Sequence, residues 1–166
     1  MSQSCHGKLR LRKGNIISTF TRTAEFHNSF GHPVRETPQV IPTSDEAWLS
    51  FSLILEELQE LAEAMFDGSV SVKANVSSDG LIYNPDLVAI GDATGDLDVV
   101  VNGNGLRHGF DMERLGEEIH RSNMSKLGAD GEPIYSRGVE LDGKPAGKIM
   151  KGPGFFEPNI AEALGL

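Results

Sequence analysis

The 166-residue sequence is poor in cysteine, in long apolar runs and in positive charge. Its one cysteine, Cys5, excludes an internal disulfide framework and fits a reducing cytoplasm. No apolar run approaches the roughly 18 to 20 residues that a membrane span requires, so no membrane partner is expected. The stretch from Met1 to Phe20 carries basic residues but no continuous apolar segment, so it does not read as a secretory signal. Lys and Arg number 15 against 24 Asp and Glu, a net charge of −9. A protein that grips a nucleic-acid polymer needs basic surface, so that class of partner is excluded as well. A small phosphorylated substrate is not, because divalent cations can bring phosphates to an acidic site. Internal repeats and low-complexity segments are also lacking.

What is present suits one domain with a moderate core: 39% hydrophobic and 23% charged residues. Residues 1–20 read as a tail, with a short extended piece at Asn15 to Phe20. Within it Lys8, Arg10, Arg12 and Lys13 cluster, as a frayed arm more readily than as an arm reaching a phosphate or a neighbouring subunit. Residues 21–166 form the domain. A short helix is expected over Thr21 to Phe30, then an extended connector through Pro33, Pro38 and Pro42. Thr43 and Glu46 form a capping box for a long helix, with Trp48, Phe51, Ile54, Leu55, Leu58, Leu61, Ala62 and Met65 at helical spacing. Residues 69–83 read as a loop, with a short hairpin around Val70 to Val76. A second long helix starts at Asn84-Pro85 and runs to about His108, and a third runs from Met112 to Leu127 behind the cap Asp111. From Gly128 to Gly154 the chain is rich in glycine and charge, with a small hairpin between Pro133-Ile134-Tyr135 and Lys148-Ile149-Met150. A last short helix follows Pro158. The pattern is all-α, a helical bundle with a flexible C-terminal loop region.

The chemistry centres on Glu56-Glu57-x-x-Glu60. Glu57 and Glu60 are three residues apart and Glu56 and Glu60 four, so the carboxylates crowd one side of a helix whose other positions are apolar. Taken alone, such a triplet more often belongs to a solvated face. The next long helix repeats the theme: Asp92 and Asp96 share a face among Ile90, Leu97 and Val99 to Val101, and Asp98 points away. No Lys or Arg lies in either segment, and acids on apolar helices must be paired, protonated or metal-bound. Magnesium or manganese is the simplest answer for a set of oxygen ligands. An EF-hand loop starting at Asp92 fails, because Leu97 stands where glycine is needed and Gly103 where a bidentate Glu is needed. On the third helix Arg121, Asn123 and Lys126 suit a polyphosphate, although basic residues near a helix C-terminus also simply complement its dipole. Lys144, Lys148 and Lys151 lie in a Gly/Pro-rich stretch of the kind that closes over substrates or stays disordered.

Together, Glu56-Glu57-x-x-Glu60, the acidic pair, and His120-Arg121-Ser122-Asn123-Met124-Ser125-Lys126 resemble the MazG-like all-α NTP pyrophosphohydrolases. The ending Lys148-Ile149-Met150-Lys151-Gly152-Pro153 with Phe155-Phe156 and Pro158, and the opening Glu25-Phe26-His27 with Gly31-x-Pro33, look like the phage-type branch. The resemblance covers roughly residues 23 to 160. It departs from the family where Glu-x-x-Asp is usual: Ala93 stands three before Asp96, and the acid is Asp92, four before. The resemblance implies cleavage of a nucleoside triphosphate between its α and β phosphates with two or three magnesium or manganese ions. It implies Glu57, Glu60, Asp92 and Asp96 as metal ligands and Glu56 as the base acting on water. Arg121, Asn123, Lys126 and Lys151 would then contact phosphates, and Phe26 and His27 the base, whereas Trp48 reads more readily as core. It further implies a homodimer or homotetramer in the cytoplasm, a host's if the source is viral, and a purine deoxynucleotide, dGTP first, as substrate. The rival expectations are dUTP or dCTP, the phosphoribosyl-ATP of histidine biosynthesis, and a non-enzymatic metal-binding or interaction protein.

Overall fold

The structure is a computed structural model that describes residues 18–76 and 80–166. The basic cluster Lys8 to Lys13 and the turn residues Ser77, Ser78 and Asp79 lie outside the described residues. Among those described, the chain is helical, and the paired extended segments reduce to one antiparallel bridge, Tyr135 with Ile149. The chain divides into two compact units: Pro38–Thr94 is one, and the described residues up to Thr37 with Gly95–Leu166 are the other. The second long helix, α3 (Leu87–His108), contributes residues to both.

The discontinuous unit is built on α1 (Thr19–Ser29) and α4 (Met112–Met124). Ser18 caps α1 by accepting from the Thr21 amide, so the helix begins two residues earlier than expected and takes Thr19 and Phe20 out of the tail. α1 ends on Phe30, which is only 1% exposed. The two helices pack directly. A Cβ at Gly116 of α4 would stand 3.0 Å from the Thr19 hydroxyl, and Arg22 on the buried side of α1 reaches Glu113 at 3.2 Å. Asp111 caps α4 through the Arg114 amide, as its spacing predicts. The helix stops at Met124 and not at Leu127. The amides of Ser125, Lys126 and Leu127 bond three residues back, to Ser122, Asn123 and Met124, which tightens the last turn. Beyond it, the expected hairpin forms through Ser136 N–H to the Lys148 carbonyl and Met150 N–H to the Ile134 carbonyl, both 2.8 Å. Two short helices follow, α5 (Val139–Asp142) and α6 (Ile160–Leu164), and α6 packs on α4.

The continuous unit is built on α2 (Ser44–Phe66). Its capping box starts as the sequence predicts: the Thr43 hydroxyl accepts from the Glu46 amide at 3.2 Å. Asp67 closes the helix in the left-handed conformation at φ 50°. The loop after it carries no strand among its described residues. It is held to α2 at Gln59, whose side-chain oxygen accepts from the Val72 amide at 2.5 Å, and Tyr83 donates to the Ile41 carbonyl ahead of the helix. The segment thus returns along α2 from its C-terminal to its N-terminal end. α3 then starts at Leu87, later than Asn84-Pro85 predicts. Asp86 takes the capping role, its carboxylate accepting from the Val88 and Ala89 amides at 3.0 and 3.1 Å.

Candidate active site

The acidic face of α2 forms as its spacing requires. Glu56, Glu57 and Glu60 are all exposed, as are Asp92 and Asp96 one turn apart on α3. Their apolar neighbours are exposed too: Ile54 45%, Leu58 44%, Ile90 45% and Leu97 45%. Among the described residues, these acids are thus not buried as their apolar setting predicts. Among the described residues, no three His, Cys, Asp or Glu side chains are gathered closely enough to hold a metal ion. The donor set, five carboxylates, is still the hard-oxygen chemistry that magnesium and manganese prefer.

The discontinuous unit holds a cavity of about 320 Å³ between α1 and α4. Phe26, Met112, Leu115 and Ile119 give it an apolar lining, and Arg22, His120 and Asn123 place polar groups in its wall. Phe26 is braced from behind by Phe30 at 4.4 Å and His32 at 5.9 Å between ring centroids. His120 is fixed by Glu25, Nε2 to carboxylate 3.2 Å. Asn123 accepts from the Lys126 ammonium at 2.7 Å, which links the cavity wall to a cation. Of the two residues expected at a base, Phe26 lines this cavity. His27 is instead engaged with the Pro33 carbonyl at 3.2 Å through its Nδ1. Trp48 lies in the other unit, 36% exposed, beside Phe51 and Tyr83 at a separate cavity of about 240 Å³.

The C-terminal segment is bound to the end of α4. The Ser122 hydroxyl, 4% exposed as a residue, donates to the Phe156 carbonyl at 2.9 Å, and the Phe156 amide donates to Ser125 at 3.2 Å. The Gly152 amide donates to the Lys126 carbonyl at 3.0 Å. A Cβ on Gly152 would lie 2.1 Å from the Leu127 carbonyl oxygen, so only glycine fits. Lys151 sits 4.1 Å over the Phe155 ring and bonds Glu157 at 2.7 Å, an exposed pair of the kind worth about 0–1 kcal/mol. Arg121 is more firmly committed. It makes a two-pronged contact with Glu118 at 2.8 and 2.9 Å and lies 4.4 Å over the Phe156 ring. The Arg121 guanidinium, then the Asn159 amide, hold the Glu118 carboxyl below its usual range, and Arg121 is correspondingly raised. Sequence reasoning missed Arg22, and it counted Ser122, Ser125 and Gly152 in the motifs without giving them a role. Only the Glu118–Arg121 pair, at i and i+3, had a legible spacing.

Comparison with known proteins decides the family. Residues 23–123 match the family described as phosphoribosyl-ATP pyrophosphohydrolase, well over half of the chain. The chain belongs to that family. It is therefore a nucleotide pyrophosphohydrolase, and the matched span contains all five carboxylates and the lining of the α1–α4 cavity apart from Thr19 and Arg22. The fold agrees with a crystal structure from Exiguobacterium sp. 255-15, of a protein provisionally described as an NTP pyrophosphohydrolase. The TM-score is 0.55 at 22% identity, over 86% of this chain and 89% of that one. No curated protein matches the chain. The all-α pyrophosphohydrolase fold expected from the motifs is thus the fold observed.

Proposed function

We propose that this pyrophosphohydrolase splits a purine deoxynucleoside triphosphate, dGTP first, between the α and β phosphates. The observation that carries the reading is continuity in one unit. An apolar slot lined by Phe26 also has Asn123 in its wall, and Asn123 is bonded to Lys126, so the slot for a ring adjoins a cation for phosphate. Lys151 supplies a second cation beside the same helix end, and Arg121 a third that remains paired with Glu118. The choice of a purine rests on the phage-type likeness of residues 148–158.

Glu57, Glu60, Asp92 and Asp96 would hold divalent ions. When bound, such ions neutralise the charge that develops on the phosphates. Glu56 accepts the proton as water attacks the α phosphorus. The bond from that phosphorus to the bridging oxygen breaks, and pyrophosphate leaves with the electron pair. A homodimer or homotetramer is part of the proposal, because both long helices expose their apolar residues. The family's description supports a second reading, in which the substrate is phosphoribosyl-ATP.

One panel separates these readings. The protein is mixed with magnesium and each of dGTP, dATP, dUTP, dCTP and phosphoribosyl-ATP, and pyrophosphate is measured. We expect the fastest release from dGTP, none from Glu57→Gln, and about a 100-fold lower kcat in Glu56→Gln. A preference for phosphoribosyl-ATP would select the second reading, and release unchanged in Glu57→Gln would remove the acidic face from the mechanism.

A further inference from the structure

We propose that Ser122, Ser125 and Gly152 are positioning residues that set the phosphate-binding end of the site by strapping residues 151–157 onto α4. The inference rests on the reading of Lys126 and Lys151 as phosphate contacts. The sequence alone makes residues 144–154 look like a loose lid. The structure ties residues 152–156 down by three hydrogen bonds at one helix end. Gly152 bonds the Lys126 carbonyl, and Phe156 is held through its carbonyl by Ser122 and through its amide by Ser125. Ser125 also donates to the Ser122 carbonyl at 2.7 Å, so the two hydroxyls act as one unit. Further on, the Asn159 amide bonds Glu118 at 2.6 Å.

The consequence is a fixed register. Lys151 immediately precedes the glycine that is pressed against Leu127, where no side chain fits. Of the two rings that the cations cover, Phe156 belongs to an anchor of the strap and Phe155 to the residue just before it. A buried hydroxyl that loses its partner costs about 1–3 kcal/mol, so the strap does not slide. A flexible lysine held in one place binds phosphate without first being ordered, which is how preorganisation raises affinity. Ser122 and Ser125 need not touch substrate to do this.

The test is a double-mutant cycle on the full chain. KM and kcat are measured with dGTP and magnesium, tripolyphosphate binding by titration calorimetry, and Tm by thermal scan. Ser122→Ala and Ser125→Ala should each raise KM and weaken tripolyphosphate binding about tenfold, with kcat within about twofold. Ser125→Thr, which keeps the hydroxyl, should match the wild type. In a Lys151→Ala background neither Ala substitution should have a further effect. Additive losses in that background, unchanged KM and binding, or a parallel fall of kcat and Tm would overturn the proposal. If Ser122→Ala fails to fold, the Ser125 pair carries the cycle. A wild type that binds no tripolyphosphate yet releases pyrophosphate overturns this inference alone. One that binds tripolyphosphate with the same cycle and releases no pyrophosphate overturns the proposed function alone.

Discussion

Two glycines show how a single residue's cost depends on what stands beside it. A Cβ at Gly105 of α3 would meet the Met112 sulfur at 2.3 Å, whereas one at Gly152 would meet the Leu127 backbone oxygen at 2.1 Å. The Met112 side chain, whose Cγ would also stand at 2.9 Å, can shift as a flexible chain, and alanine in a helix gains about 1 kcal/mol over glycine. Gly105→Ala should therefore leave Tm within a few degrees of the wild type in a thermal scan. Backbone cannot rotate away, so Gly152→Ala should lower Tm clearly more. His32 gives a pH dependence. Burial, then the charge of His27, lowers its pKa below 6.5. The unfolded chain thus takes up a proton that the folded one refuses, so stability is full above about pH 6.5 and falls as pH drops below it. Tm measured from pH 7.5 to 5 should fall less steeply in His32→Gln. At this scale the sequence reveals partners only when they are close in it. Glu118 and Arg121 are three apart and legible, while Ser122 and Phe156 are 34 apart and no local pattern joins them.

Elements were legible where a cap and a periodic face coincide. Thr43 with Glu46 set the start of α2, and the two apolar triplets around Tyr135 and Ile149 paired as their composition suggested. The start of α3 was misplaced because Asn84-Pro85 and Asp86 compete as caps, and a carboxylate that satisfies two amides wins over a distant Asn. The segment after α2 is a loop, as its composition suggests, and the short hairpin expected around Val70 to Val76 does not form among the described residues, because the partner there is a side chain, Gln59, and not a second strand. That contact is testable. In Gln59→Ala the Val72 amide loses its acceptor, and its hydrogen exchange should approach the unprotected rate. Global Tm should change by no more than the loss of one hydrogen bond implies, about 1 kcal/mol. Protection of Val72 that survives the substitution would mean the return segment is held by something other than Gln59.

For the whole molecule, the decisive quantity is apolar surface. Phe30, Ala62 and Ala163 are the buried apolar residues among those described, while the long helices expose theirs: Leu49 60%, Leu53 53%, Val88 83%, Val99 67%, Val100 60% and Leu106 77%. Burying one such side chain fully is worth about 1.5–3 kcal/mol, so a chain with that much exposed should associate. Gly91, Gly95 and Gly103 of α3 agree: among the described residues, nothing beyond their own stretch of helix lies within 4 Å of where their Cβ atoms would be. In one chain these glycines weaken the helix without compensation, and a helix from another copy packing against them would supply it. The same association would explain the exposed acids, since Glu57, Glu60, Asp92 and Asp96 sit among the apolar residues that association would cover. No single sequence pattern displays this part of the proposed site, because periodicity marks a face and not what covers it. Sedimentation at micromolar concentration should show a dimer or tetramer, and Val88→Asp or Val100→Asp should shift it toward monomer. Pyrophosphate release should fall with the assembled fraction, although neither valine carries chemistry. A wild type that is active and monomeric at that concentration would show that one chain completes its own site.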